Sequence, residues 1–389
     1  MIPYILIFLL IMCLIYKYDI QLSVHGRRMW ENIVITLLIL MAGLRYHIGS
    51  DTIQYEYFFN NAPRLSELLL TKELLRAREP LWLLLTSVVK SVWDNFILFQ
   101  VVIAILFNIL LLNFLRKTTS KTFTSLLIIY CVCWWNFNFE IMRESVGVVL
   151  FLHSLLWLSQ KNYLKYIILS IIIIFIHRFS FIVILLTPLV LFQNRKVVYP
   201  ILFLAMFYTL IFMDKTVINA MLEILMEFSP DSASSKIGLY IDSTTEGFHS
   251  INIVGMIELL ILSIIFPIFV IMNRKDIHTG YNKFFPILIG LYILFSIFKA
   301  YFSIAGRLNS YLEIIFIVEL TNALYNFKID RNLKIVFQVM AFLFVFQGCY
   351  YFYKPTYYET RKYITYDVRY IPYATIFDDV DKQREALIR

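Results

Sequence analysis

The stretch IIIIFIHRFSFIVILL, residues 171–186, sets a histidine and an arginine side by side in the most apolar part of the chain. An ionised side chain at the centre of a membrane helix costs about 2.5–3.5 kcal/mol on insertion scales, so a site that keeps one generally uses it. The stretch therefore reads as two apolar helices meeting at His177–Arg178, and ordinary packing gives no reason for that pair. His177 is a candidate general base or hydrogen-bond donor, and Arg178 a candidate phosphate ligand.

Composition extends the same reading to the whole chain. Hydrophobic residues make up 60% of the 389 positions and charged residues 16%, against roughly 45–50% apolar in an ordinary globular protein. No soluble interior holds that much apolar surface, so lipid must solvate most of it. The excess of 35 Lys and Arg over 27 Asp and Glu gives +8, which reads as topology rather than nucleic-acid binding, since basic residues gather in cytoplasmic loops. Cys13, Cys131, Cys133 and Cys349 fit no metal-ligand spacing and read as buried free thiols. The N-terminal MIPYILIFLLIMCLIYKY lacks the basic start and small-residue cleavage site of a signal peptide and reads as a retained span.

Apolar runs predict an all-α polytopic membrane protein with about 12 spans. They lie near 2–17, 31–44, 96–115, 122–139, 145–160, 164–177, 179–193, 197–213, 251–272, 284–301, 307–326 and 333–353. Residues 80–93 are too brief for a span, carry Lys90, and read as a re-entrant or interfacial helix. Every second joint is then basic, beginning with Lys17, Arg27 and Arg28, then Arg116, Lys117 and Lys121, and ending at Lys328, Arg331 and Lys334. The positive-inside rule places these joints in the cytoplasm. Loops 45–79 and 214–250 and the tyrosine-rich tail 354–389 fall outside, appended to one helical domain, 1–353. In 214–250, TVINAMLEILMEF has the pattern of an amphipathic helix lying along the surface as a lid.

The unusual polar residues collect at the outer ends of these spans. In GLRYHIGSDTIQY, residues 43–55, Arg45 offers a planar fork for phosphate or carboxylate. Asp51 can take a proton from a sugar hydroxyl, cap a helix or pair with Arg45. In WWNFNFEIMRESVGVVLFLH, residues 134–153, Glu140, Arg143 and Glu144 stand between two apolar runs; Glu140 and Arg143 are spaced for a simple salt bridge. Trp134, Trp135, Phe137 and Phe139 fit an interfacial aromatic belt, and such rings also stack on sugars. His153, alone on an apolar helix, reads as a satisfied core residue. Arg307 and Asn309 follow Gly306 at a helix start, where backbone N–H groups already favour an anion. Arg45, Arg143, Arg178 and Arg307 together ask for an anionic partner. A lipid-linked pyrophosphate fits; a small soluble anion carried by a transporter fits the arginines too but would not need the outer-face bias.

Taken in order, these motifs resemble the EpsG family of oligosaccharide repeat-unit polymerases, related to the Wzy polymerases of O-antigen and capsule assembly. The resemblance rests on Arg45-Tyr46 through Gly49 and Asp51 with Tyr55 downstream, Glu79-Pro80, Met142-Arg143, His177-Arg178-Phe179-Ser180, Arg307-Leu308-Asn309-Ser310-Tyr311 and Tyr370-Ile371-Pro372-Tyr373. A Gln commonly follows the arginine of the second cluster in that family, where this chain has Glu144.

The resemblance implies polymerisation of undecaprenyl-pyrophosphate-linked repeat units at the outer face of a bacterial inner membrane. It implies release of lipid pyrophosphate, no nucleotide sugar, no nucleic acid and, with a chain-length regulator as a conceivable partner, a GT-C-like architecture as one option. Asp51, His177, Arg143 and Glu144 become the expected catalytic residues. Arg45, Tyr46, Tyr55, Glu140, Arg178, Arg307, Asn309, Tyr311 and Tyr373 become the expected substrate ligands. No metal and no cofactor are expected, since arginines can stabilise the leaving pyrophosphate. A lipid-linked oligosaccharide flippase, an O-antigen ligase and a membrane acyltransferase are the rival readings; a flippase would want polar residues along a path through both leaflets.

Overall fold

Long apolar runs favour helices, and those among the described residues are helical over most of their length. In the computed structural model, residues 2–70, 74, 77, 79–191, 253–272, 284–301, 305–325, 331–353, 370 and 373–378 are described. Among these the secondary structure is helical, with one isolated antiparallel bridge, Arg45 to Thr375. The expected span 197–213 and the lid of 214–250 lie outside the described residues, as does most of the tail. The chain divides into two compact units, Met1–Arg178 with Phe342–Arg389, and Phe179–Ala341.

Four described helices are long and apolar enough to cross a membrane: Ile2–Ile20, Phe96–Thr118, Gly255–Met272 and Asn332–Tyr350. Shorter apolar helices occupy Pro80–Val92, Thr122–Val132, Tyr163–Ile176 and Phe285–Tyr301. Pro80–Val92 rises about 20 Å, less than the roughly 30 Å of a hydrocarbon core. Pro at its first position removes a donor that would be orphaned anyway. Its Lys90 does not face water: the buried ammonium donates to the carbonyls of Phe59, Asn60 and Ala62. Lys90 thereby satisfies carbonyls at the end of helix Thr52–Asn61, where the Ala62 N–H reaches only Phe59.

In the first unit, helix Arg27–Gly43 packs along Phe96–Thr118. Gly43 makes the close approach feasible, since a Cβ there would sit 3.0 Å from the Val101 Cα. Two of the basic joints meet at one end of this pair. Buried Asp19 accepts from Arg27 at 3.0 Å and from the Thr124 backbone at 2.7 Å, and Glu31 bridges Arg27 and Arg116. Residues 44–51 lie at the opposite end of Arg27–Gly43.

The aromatic belt proves to be core. Trp134, Trp135, Phe137 and Phe139 are all buried, and Trp134 Nε1 donates to Asn108 at 2.8 Å while Asn108 donates to Asn138 at 2.9 Å. A π-type turn at Asn136–Glu140 breaks the run, and a second helix starts at Met142. His153 is satisfied as expected, its Nε2 3.0 Å from the Leu110 carbonyl.

The second unit contains Ser180–Leu186, Ile253–Glu258 continued by Leu259–Ile265 and Phe266–Met272, Phe285–Tyr301 and Gly306–Tyr325. Gly306–Tyr325 is buried on nearly every side, the mark of a core helix, and packs on Phe285–Tyr301 through the Tyr292–Phe316 stack at 4.7 Å.

Candidate functional site

The site of the first unit is built where four segments end. Helix Thr52–Asn61 supplies Tyr55, with Asp51 as its preceding residue. Helix Pro80–Val92 begins on Glu79. Helix Met142–Ser159 begins with Arg143 and Glu144 in its first turn. Helix Tyr163–Ile176 stops at His177, whose extended backbone ends the helix and leaves Arg178 half-buried. Helix starts carry partial positive charge and favour anions, so the starts of Pro80–Val92 and Met142–Ser159 suit both Glu79 and Glu144.

Arg143 is the hub. Its Nη1 pairs with Glu79 Oε2, and its backbone N–H donates to the Tyr55 hydroxyl at 3.4 Å. The other oxygen of Glu79 accepts from the Arg178 backbone N–H at 3.3 Å. Beside them His177, 1% exposed, places Nε2 4.0 Å from Glu144. Burial pushes the Tyr55 hydroxyl up to about 12, against the pull of nearby Arg143, so it stays protonated at neutral pH. Asp51 stands at the rim, half-exposed, accepting from Ser50 at 3.3 Å.

Arg45 belongs elsewhere. Expected as a phosphate ligand, its side chain is 1% exposed. It donates to the carbonyls of Ala42 and Ile48, reaches Met142 Sδ at 3.2 Å and lies over the Phe139 ring at 5.1 Å. A cation closing the last turn of a helix complements that helix's dipole. The arginine therefore ties Arg27–Gly43 to its own loop, and its donors are spent on protein.

Glu140 and Arg143 do not pair as their spacing allowed. The break at Ile141 separates them, and Glu140 is buried, accepting from the Tyr370 hydroxyl. The tail also returns as a short extended piece, with Tyr46 N donating to Ala374 O at 2.9 Å and Ile376 N to Leu44 O at 3.1 Å. Tyr373 donates to the Met41 carbonyl at 2.8 Å. Tyr46, half-buried, stacks on His47.

In the second unit, half-buried Arg307 lies over Phe179 at 5.6 Å. Asn309 accepts from Ser296 at 3.3 Å, and Tyr311 is fully buried. Burial keeps the Tyr311 side chain away from the surface, where a substrate contact was expected of it. Among the described residues no group of three or more His, Cys, Asp or Glu is arranged to hold a metal ion.

Glu79 was not among the residues expected at the site. Its sequence signal was a carboxylate directly before a helix-starting proline; its partners come from two distant helices.

A helical protein with membrane-crossing lengths and a charged cluster at the ends of its helices is thus defined. The chain matches the model of the EpsG family over residues 28–375 and belongs to that family. No curated protein and no solved structure matches it.

Proposed function

We propose that the chain polymerises lipid-linked oligosaccharide repeat units for a bacterial surface polysaccharide, from a site facing away from the cytoplasm of the inner membrane. The observation that carries this is Arg143, where Glu79, Tyr55 and the Arg178 backbone converge. Family membership supports the reaction class. The donor is a glycan on undecaprenyl pyrophosphate. A hydroxyl of the next unit attacks the anomeric carbon, that carbon's bond to the pyrophosphate oxygen breaks, and the lipid pyrophosphate leaves.

Such a reaction needs cations where negative charge develops and a base for the attacking hydroxyl. Arg143 and Arg178 serve the first need. Asp51 serves the second, because it is half-exposed at the rim while His177 is sealed against Glu144. His177 and Glu144 support the wall on which Arg178 turns. Within the second unit taken by itself, Arg307 and Asn309 at the start of Gly306–Tyr325 are proposed as anion-binding residues. The reaction is proposed to run without a divalent metal.

Glycan length tests the proposal. Arg143→Ala and Asp51→Asn, at matched protein levels, are expected to leave cells with single-repeat product at the surface. Long glycan from both variants would overturn it, and complete loss of surface product would favour a flippase. Activity lost to a chelator and restored by a divalent ion would refute metal independence.

A further inference from the structure

We infer that Glu79 is a positioning residue: it clamps one arm of the Arg143 guanidinium so that the remaining Nε–Nη2 edge is presented to a diphosphate. This rests on the polymerase reading and assigns the edge of Arg143 that it uses.

The argument begins with an unused donor. Arg143 Nε–H is buried and has no acceptor among the described residues, although a buried donor without a partner costs about 1–3 kcal/mol. Such a group in a native fold calls for an explanation, and a ligand is one. The guanidinium is only partly covered, with a third of the side chain exposed, and its ion pair is through Nη1. An arginine offers paired N–H bonds along each edge, and the edge bearing Nε matches two oxygens of a phosphate or carboxylate. With Nη1 taken by Glu79, that edge is fixed in orientation before any substrate arrives.

Glu79 is itself well held. It is 7% exposed, it begins a helix whose proline restricts its backbone, and its second oxygen takes the Arg178 N–H. One carboxylate thereby registers Arg143 against the segment carrying Arg178. The arrangement resembles the rule that binding groups must themselves be locked by a supporting contact. Full neutralisation of Arg143 does not follow, because a single-armed pair leaves the second face of the cation for a doubly charged leaving group.

A double-mutant cycle on the full chain in proteoliposomes tests this. The substrate is the undecaprenyl-pyrophosphate-linked repeat unit isolated from cells lacking the chain. Glu79→Ala and Arg143→Ala are each expected to lower kcat by on the order of 10–100-fold, the scale of a misplaced group. If Glu79 acts through Arg143, the double variant is no slower than Arg143→Ala alone. Glu79→Gln, which keeps size and acceptor but not charge, runs through the same cycle should the alanine variant fold poorly. Multiplying effects would overturn the inference. So would normal kcat in both Glu79 variants beside an inactive Arg143→Ala, which leaves the polymerase reading intact. Normal activity of Arg143→Ala would overturn the inference as well, and the polymerase reading would fall only if Asp51→Asn also made long glycan.

Discussion

The Tyr370 hydroxyl donates to the Glu140 carboxylate, across 230 residues of sequence. Both are buried, and Tyr370 also stacks on Phe352 at 4.9 Å. The tail is therefore fastened at the break between two helices that precedes Arg143. Removing the hydroxyl while keeping the ring, Tyr370→Phe, takes one donor from a buried carboxylate and should destabilise the protein by about 1–3 kcal/mol. A lower unfolding temperature in detergent is the expected reading, and an unchanged one would mean the contact carries no net stability.

Gly49 is pressed against the Phe139 carbonyl. Its φ is +98°, and an added Cβ would overlap that carbonyl oxygen. Backbone cannot yield as a flexible side chain can, so Gly49→Ala meets both an unfavourable φ and a collision. The cost should be about 2 kcal/mol or more. Loss of thermal stability, with protease sensitivity appearing first near residues 44–51, is the expected result. Wild-type stability would contradict the contact.

Arg45 and Arg143 should fail differently. Arg45→Ala strips hydrogen bonds from the Ala42 and Ile48 carbonyls and should cost about 2–3 kcal/mol of stability. Arg45→Lys should rescue little, because one ammonium cannot reach acceptors arranged around a planar fork. Arg143→Ala takes one donor from Glu79 but leaves it the Arg178 N–H, so it should cost less stability than Arg45→Ala while losing turnover. Melting temperature and turnover measured on the same preparations separate the two, and a stable but inactive Arg45→Ala would overturn this division of roles.

Alkaline pH should loosen the first unit. Burial raises Tyr55 and Tyr373 from an ordinary 10 to about 12 each, opposed by Arg143 and Arg45 respectively. A raised phenol pKa means the folded protein holds the proton more tightly than the unfolded chain. Stability from these groups is then complete below pH 10 and is lost as pH rises through about 12. Tyr55→Phe and Tyr373→Phe should each flatten the loss of stability across that window, followed by unfolding temperature against pH. Curves parallel to the wild type would refute the assignment.

Much of the helical framework could be read from the chain. Apolar periodicity and length are local properties, so runs such as 96–115 and 284–301 appear as helices near their expected bounds. The aromatic run at 134–139 was misjudged because an interfacial belt and a buried core share one composition; only the packed neighbours of Trp134 distinguish them. At the site, Arg143 and His177 were visible as polar residues in apolar surroundings, and Tyr55 through the family resemblance alone. Glu79 stood out only as part of the Glu79-Pro80 motif, and nothing local to it announces its partners on other helices.

Sequence by itself determined that this chain is apolar and helical, roughly where most of its described helices lie, and which family it joins. Those follow from side-chain chemistry and spacing along one strand of peptide. Tertiary structure decided which arginine is buried scaffolding and which keeps an edge exposed. Arg45 and Arg143 carry the same charge, and their difference lies wholly in what the folded chain sets around them: carbonyls for one, a single carboxylate and an unfilled donor for the other.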